Sequence, residues 1–239
     1  MHLLQLPTEL QLQIATYLSQ PSRARLCLVN QRLRDVCTKP LYSEDCRAAL
    51  LWSSIFGIHG TLHLALQHGA RVNLGNRYKR TAFSLAASHG QILTLKLLLD
   101  KGADPSIYDH HNHSPLFLAA ENGHVEVVKF LIKLGADISA KNDGGLTPLN
   151  AAASEGHIEV IKVLLENGAG ADVSLPSHNG TTPFRSACLR GHLDVVKLLL
   201  ELGADTTLAA DDGSDPFYSA RMPWPPKHLK VVSRQGSKA

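Results

Sequence analysis

The chain has 239 residues, of which 44% are hydrophobic, 19% charged and 5% aromatic, and its formal net charge is +3. That length allows one large domain or two modest ones, and the small charge and few aromatics exclude a nucleic-acid binder built on base stacking or a basic field. Cys27, Cys37, Cys46 and Cys188 show neither C-x-x-C spacing nor a paired-histidine motif, so no zinc site and no disulfide framework is expected, and a reducing compartment, cytoplasmic or nuclear, fits best.

The N-terminal string MHLLQLPTEL reaches Pro7 and Glu9 before any long apolar run develops. No later stretch approaches the roughly 18 uninterrupted apolar residues of a membrane span. Neither a secretion signal nor a membrane partner is expected.

Residues 3 to 42 open with Pro7-Thr8-Glu9 at the start of a first helix, along which Leu10, Ile14, Tyr17 and Leu18 recur at helical spacing. Pro21 and Ser22 interrupt it. Leu26, Val29, Leu33 and Val36 then mark a second amphipathic helix that stops before Pro40, because the residue preceding a proline is driven out of the α region. A small helical module over residues 1–44 is predicted.

The run L-P-x-E-L-x-x-x-I-x-x-Y-L, followed by L-x-x-V-N-x-R-L-R and P-L-Y, resembles an F-box, the segment that docks onto the Skp-family adaptor of SCF-type ubiquitin ligases. Ala24 departs from the pattern, standing where the family has a larger apolar residue. The resemblance implies that Leu6, Pro7, Glu9, Leu10, Ile14 and Leu18 lie against the adaptor as an apolar helix-in-groove surface. The competing reading gives the same leucines to the module's own core, with residues 3 to 42 serving only to cover the first of the downstream repeats.

From residue 45 to 222 the sequence repeats itself. TAFSLAASHG, SPLFLAAENG, TPLNAAASEG and TPFRSACLRG each open a unit, and LLLDKGADPS, LIKLGADIS, LLENGAGADVS and LLLELGADTT each close one. The glycines ending the opening strings, Gly90, Gly123, Gly156 and Gly191, are 33, 33 and 35 residues apart. A degenerate copy precedes them, with Gly57 standing one such interval before Gly90, and a half copy follows from Asp215-Pro216-Phe217. Pro223, Pro225 and Pro226 deny that last copy a second helix.

Each unit reads as turn, helix, short loop, helix and glycine stop. Thr147 offers a cap oxygen, and Pro148 sits at the first helical position, where its missing N–H costs nothing. Ala151, Ala152 and Ala153 keep this helix thin, and Gly156 ends it. In the second helix Ile158, Ile161, Leu164 and Leu165 form an apolar stripe. A single helix pair cannot bury that stripe, whereas a stack of pairs can.

The recurring T-P-L-x-x-A-A-x-x-G-H-x-x-V-V-K-x-L-L-x-x-G-A-D pattern resembles the ankyrin repeat. The implied fold is an all-α solenoid of stacked helix pairs with short hairpin turns, in about five repeats plus a half, preceded by the F-box-like module. The family's histidine after T-P-L is replaced by Ser84, Phe117, Asn150 and Arg185, which leaves open the inter-repeat hydrogen bonds it makes. Residues 223–239 form a basic tail, expected to be disordered.

Partner contacts are expected where the repeats vary, at the hairpin tips and beside the glycine that ends each inner helix. These positions nominate Arg77, Tyr78, Tyr108, His110 and His111 on the tips, and His89, Glu121, Asn122, Glu155 and Arg190 on the inner helices. Tyr78 and Tyr108 are the preferred anchors, since exposed tyrosine is enriched at binding hot spots. An exposed ring without a partner is the other reading.

His110, His111 and His113 cluster with Asp109, but no cysteine or second carboxylate is near in sequence, so a polar tip is favoured over a metal site. His124, His157 and His192 each follow a glycine at the same repeat position, which predicts a packing role at a helix start. No nucleophile elbow, phosphate-binding glycine loop or H-E-x-x-H helix is present. The expectation is a protein-binding adaptor without catalytic residues, cofactor, metal or nucleic-acid partner: a ligase substrate-recognition subunit, or a stand-alone ankyrin scaffold or inhibitor.

Overall fold

The computed structural model describes residues 46–168, 173–208 and 211, and among them all regular secondary structure is helical. The N-terminal module predicted over residues 1–44 and the half repeat with its basic tail therefore lie outside the described residues. The chain divides between His110 and His111 into two compact units.

Among the described residues the first unit holds two helix pairs. Residues 46–56 form α1, followed by α2 (His59–Gln67), α3 (Ala82–Ser88) and α4 (Ile92–Asp100). The degenerate first repeat thus has both helices, although Ser53, Ser54 and Gly60 are poor helix formers. Burial explains it: Ala49, Leu50, Leu62 and Ala65 are fully buried. The Ser53 and Ser54 hydroxyls both donate to the Leu50 carbonyl, at 2.9 Å and 2.8 Å, so neither is an unmet polar group.

Among the described residues the second unit holds three pairs: α5 (Pro115–Glu121) and α6 (Val125–Lys133), α7 (Pro148–Glu155) and α8 (Ile158–Glu166), and α9 (Pro183–Arg190) and α10 (Leu193–Glu201). Helix α7 packs between α5 and α9. The alanines make this approach possible, with Ala119, Ala120, Ala152, Ala153 and Ala187 at 0% exposure. The predicted stripe of α8 divides, Ile161 and Leu164 being fully buried while Ile158 and Leu165 are only half-buried.

The inner helices start as the repeat pattern requires. Thr81, Ser114, Thr147 and Thr182 each accept a hydrogen bond on the side-chain oxygen from the backbone N–H three residues on. Prolines 115, 148 and 183 occupy the first helical turn. At Thr147 the cap is reciprocal, because Asn150 Oδ1 accepts from the Thr147 N–H at 3.0 Å. Gly156, at φ 80°, and Gly191, at φ 79°, end their helices in the left-handed conformation.

The residue after that glycine joins neighbouring pairs. Gln91 and His157 stand at the N-caps of α4 and α8 without capping them. Their side chains reach back to the preceding inner helix instead: Gln91 Nε2 donates to the Ile55 carbonyl at 3.2 Å, and His157 Nε2 lies 3.0 Å from the Glu121 carbonyl. A Cβ on Gly123 would stand 2.6 Å from His157 Nδ1, and one on Gly156 would stand 2.6 Å from His192 Nδ1. The recurrent glycine-histidine pair is a packing device, as the sequence predicts.

Of the residues that replace the histidine after T-P-L, Asn150 makes an inter-repeat bond. Asn150 Nδ2 donates to the Thr181 carbonyl of the next turn at 3.4 Å. The tips add backbone links, from the His110 N–H to the Tyr78 carbonyl in the first unit and from Asp143 to His111 and His178 to Gly144 in the second.

Candidate functional site

The hairpin tips are built as side-chain-stabilised turns. Asn76 Oδ1 accepts from the Tyr78 and Arg80 N–H groups, and Asn142 Oδ1 accepts from those of Gly144 and Leu146. The turns require a left-handed residue at the corner, which is Lys79 (φ 58°) in the first unit and Asn112 (φ 60°), Gly145 (φ 76°) and Gly180 (φ 74°) in the second.

On the first unit's tip Tyr78 is 46% exposed, and the Arg77 guanidinium carbon lies 4.7 Å from the centre of its ring, within cation–π range. His110 is exposed and Tyr108 is half-buried, so the two predicted tyrosine anchors differ in reach. Arg80 Nε donates to Asp109 Oδ2 at 3.0 Å, with the carboxylate side chain 1% exposed. That contact explains why Asp109 turns inward instead of joining the histidines.

In the second unit His111 is exposed and its ring centre is 5.7 Å from that of His113, which in turn stacks on Phe117 at 4.5 Å. Among the described residues no group of three or more His, Cys, Asp or Glu side chains is arranged to hold a metal ion. No described helix is long and apolar enough to cross a membrane.

The inner helices of the second unit line a groove of about 370 Å³. Three predicted contact residues meet there, Glu121, Glu155 and Arg190, the last residues of α5, α7 and α9. Arg190 Nη2 lies 3.7 Å from Glu155 Oε1, a pair 62% and 40% exposed, and so weakly held. The helix C-termini add a negative partial charge at this rim.

Two other predicted residues are occupied locally. Asn122 Nδ2 donates to the Leu118 carbonyl at 2.8 Å, and His89 Nδ1 lies 2.9 Å from the Leu85 carbonyl, so each side chain turns back on its own helix. Both remain exposed. Ser88, beside His89, is buried. Leu6, Pro7, Glu9, Leu10, Ile14 and Leu18 lie outside the described residues.

Sequence reasoning does not nominate Phe117, Leu146, Asn150, Thr181 or Ser186, all of which line the groove. In the sequence Phe117 and Asn150 stand out only as departures from the family's histidine. Taken together, as one row of changing side chains on successive inner helices, those departures mark the wall. Asn179 and Ser154 line it as well.

Two family models match. The F-box-like model covers residues 3–48, and the model of ankyrin repeats in three copies covers residues 50–142 and 116–210. No curated protein matches the chain. Both matched modules are typically non-catalytic interaction modules, which makes the chain a protein-interaction adaptor. With its repeat pattern matched along most of its length and its helix pairs stacked accordingly, the chain belongs to the ankyrin-repeat family, here preceded by an F-box-like module as in an F-box ankyrin protein.

Proposed function

We propose that the chain is the substrate-recognition subunit of an SCF-type ubiquitin ligase. The observation that carries this reading is the succession of an F-box-like module at residues 3–48 and an ankyrin array at residues 50–210. The first module holds a Skp-family adaptor through Leu6, Pro7, Glu9, Leu10, Ile14 and Leu18, and the array holds the target. Arg77, Tyr78, Tyr108, His110 and His111 serve at the tips, with His89, Glu121, Asn122, Glu155 and Arg190 on the inner face.

The mechanism is bridging. Tethering raises the target's effective concentration beside the ubiquitin-transfer machinery, so rate is gained without chemistry in this chain. The reading places the protein in the cytosol or nucleus, where that machinery works, and calls for no cofactor, metal, nucleic acid or membrane.

The test is binding of a purified Skp-family adaptor to the full chain and to a Pro7→Ala, Leu10→Asp double variant, each checked for helicity. Micromolar or tighter binding that the variant loses is the expected result. A folded chain that does not bind the adaptor reduces residues 3–42 to a cap on the first repeat, and leaves an ankyrin scaffold or inhibitor without a ligase role.

A further inference from the structure

We propose that the groove of the second unit receives a lysine or arginine side chain from an extended segment of the target, held against Glu121. The proposal rests on the reading that the array binds a target, and it names the chemistry of the contact. A cavity of about 370 Å³ is ample for one long side chain and the backbone that carries it.

Charge selects the occupant. The lining carries Glu121, Glu155 and Arg190 as its ionised groups, so one negative charge is left over. Arg190 is partnered by Glu155. The half-buried Glu121 carboxylate has no hydrogen bond or ion pair among the described residues, and its backbone carbonyl is already taken by His157. A carboxylate at the negative end of a helix is poorly placed for stability, and a cation brought to the same spot is favoured both by the side chain and by the helix dipole.

A second feature points to a ligand independently. Ser186 lines the same cavity at 7% exposure, and its hydroxyl has no partner among the described residues, the residue's hydrogen bond being that of its backbone N–H to the Thr182 carbonyl. The Ser186 hydroxyl, open to the cavity it lines, is within reach of a ligand's donors. A guanidinium or ammonium entering beside Glu121 supplies several donors, enough for a carboxylate and a hydroxyl acceptor together.

The experiment uses the full chain, isotopically labelled, titrated with N-acetyl-arginine methylamide and with its near-isosteric neutral counterpart, N-acetyl-citrulline methylamide. The arginine probe is expected to shift the Ser186, Asn150 and Thr181 amide resonances saturably and to bind about tenfold more tightly than citrulline. Glu121→Gln abolishes that preference, while Ser186→Ala weakens both probes. Equal binding of the two probes, shifts confined to other residues, or a preference that survives Glu121→Gln overturns the proposal. Adaptor affinity measured on the same samples separates the two readings. Retained adaptor binding with no arginine preference removes only this inference, and the reverse removes only the ligase assignment.

Discussion

Arg80 and Asp109 are joined across successive turns of the first unit by a 3.0 Å hydrogen bond in which the guanidinium, one-third exposed, reaches a carboxylate that is 1% exposed. The arginine keeps a charge from being stranded in the interior. Arg80→Met is expected to destabilise the chain by about 2 kcal/mol, the cost of leaving a buried carboxylate under-partnered. Chemical denaturation measures it. Adding Asp109→Asn to that variant should recover part of the loss, and two independent, additive penalties would refute the pairing as the cause.

The corner of each tip turn sorts by residue type. Lys79 adopts φ 58° and Asn112 φ 60°, where a β-carbon is crowded though asparagine tolerates it better than lysine, while Gly145 and Gly180 adopt similar angles freely. Lys79→Gly is expected to gain about 0.5 kcal/mol, the relief of strain less the added entropy of the unfolded chain. Gly145→Ala should cost about 2 kcal/mol, since its new methyl would lie 2.6 Å from the His178 backbone nitrogen in addition to the strained φ. Paired thermal melts check both signs.

Gly123 and His157 constitute a coupled pair. Gly123→Ala puts a methyl 2.6 Å from the imidazole and forces an alanine to φ 75°, for about 2 kcal/mol in total. His157→Ala alone loses the contact to the Glu121 carbonyl, at about 1 kcal/mol. In the double variant the collision is gone and what remains is the backbone strain of Gly123→Ala together with the lost Glu121 contact, so the double-mutant cycle should be distinctly sub-additive.

Burial pushes the Cys188 thiol up to about 12, so at neutral pH it stays protonated and unreactive. Cys46 is partly exposed. Alkylation followed residue by residue with mass spectrometry should label Cys46 in the folded chain and Cys188 only as the second unit opens. Equal labelling in native buffer would contradict the burial of α9.

Asp104 and Asp205 head matching turns, each accepting both the hydroxyl and the backbone N–H of the residue two positions on, Ser106 and Thr207. Those hydrogen bonds hold both carboxyls below their ordinary value of 3.8. A depressed folded value means the contribution to stability is complete above the ordinary value, and is lost as the pH falls through that value and on through the lower one. Ser106→Ala should raise the Asp104 titration midpoint observed by NMR, and leave that of Asp205 in place.

The framework was legible because its signals are local and recur. A threonine or serine cap, a proline at the first turn and a glycine stop each act within a few residues, and four in-phase copies exclude chance. The degenerate first repeat was harder, since α1 forms on the strength of buried Ala49 and Leu50 despite two serines, a tertiary effect that propensity does not contain. The groove was half legible: Glu121, Glu155 and Arg190 vary between copies, whereas Asn150 and Ser186 join it only because stacking brings their helices side by side. That Asn122 and His89 turn back onto their own helices depends on rotamer and helix-end geometry, which repeat spacing does not encode.

The fourth interval, 35 residues where the others are 33, lengthens the connection after α8, beyond Gly168. On its far side the Thr182 cap, the His178 to Gly144 tip bond and the Asn150 to Thr181 bond are all made as in phase. Two added residues between α8 and the next tip therefore leave the cap and tip contacts undisturbed. Such a chain can accept extra residues between helix pairs and change its choice of target by substitution at its tips and inner helices, so length and specificity are free to evolve separately.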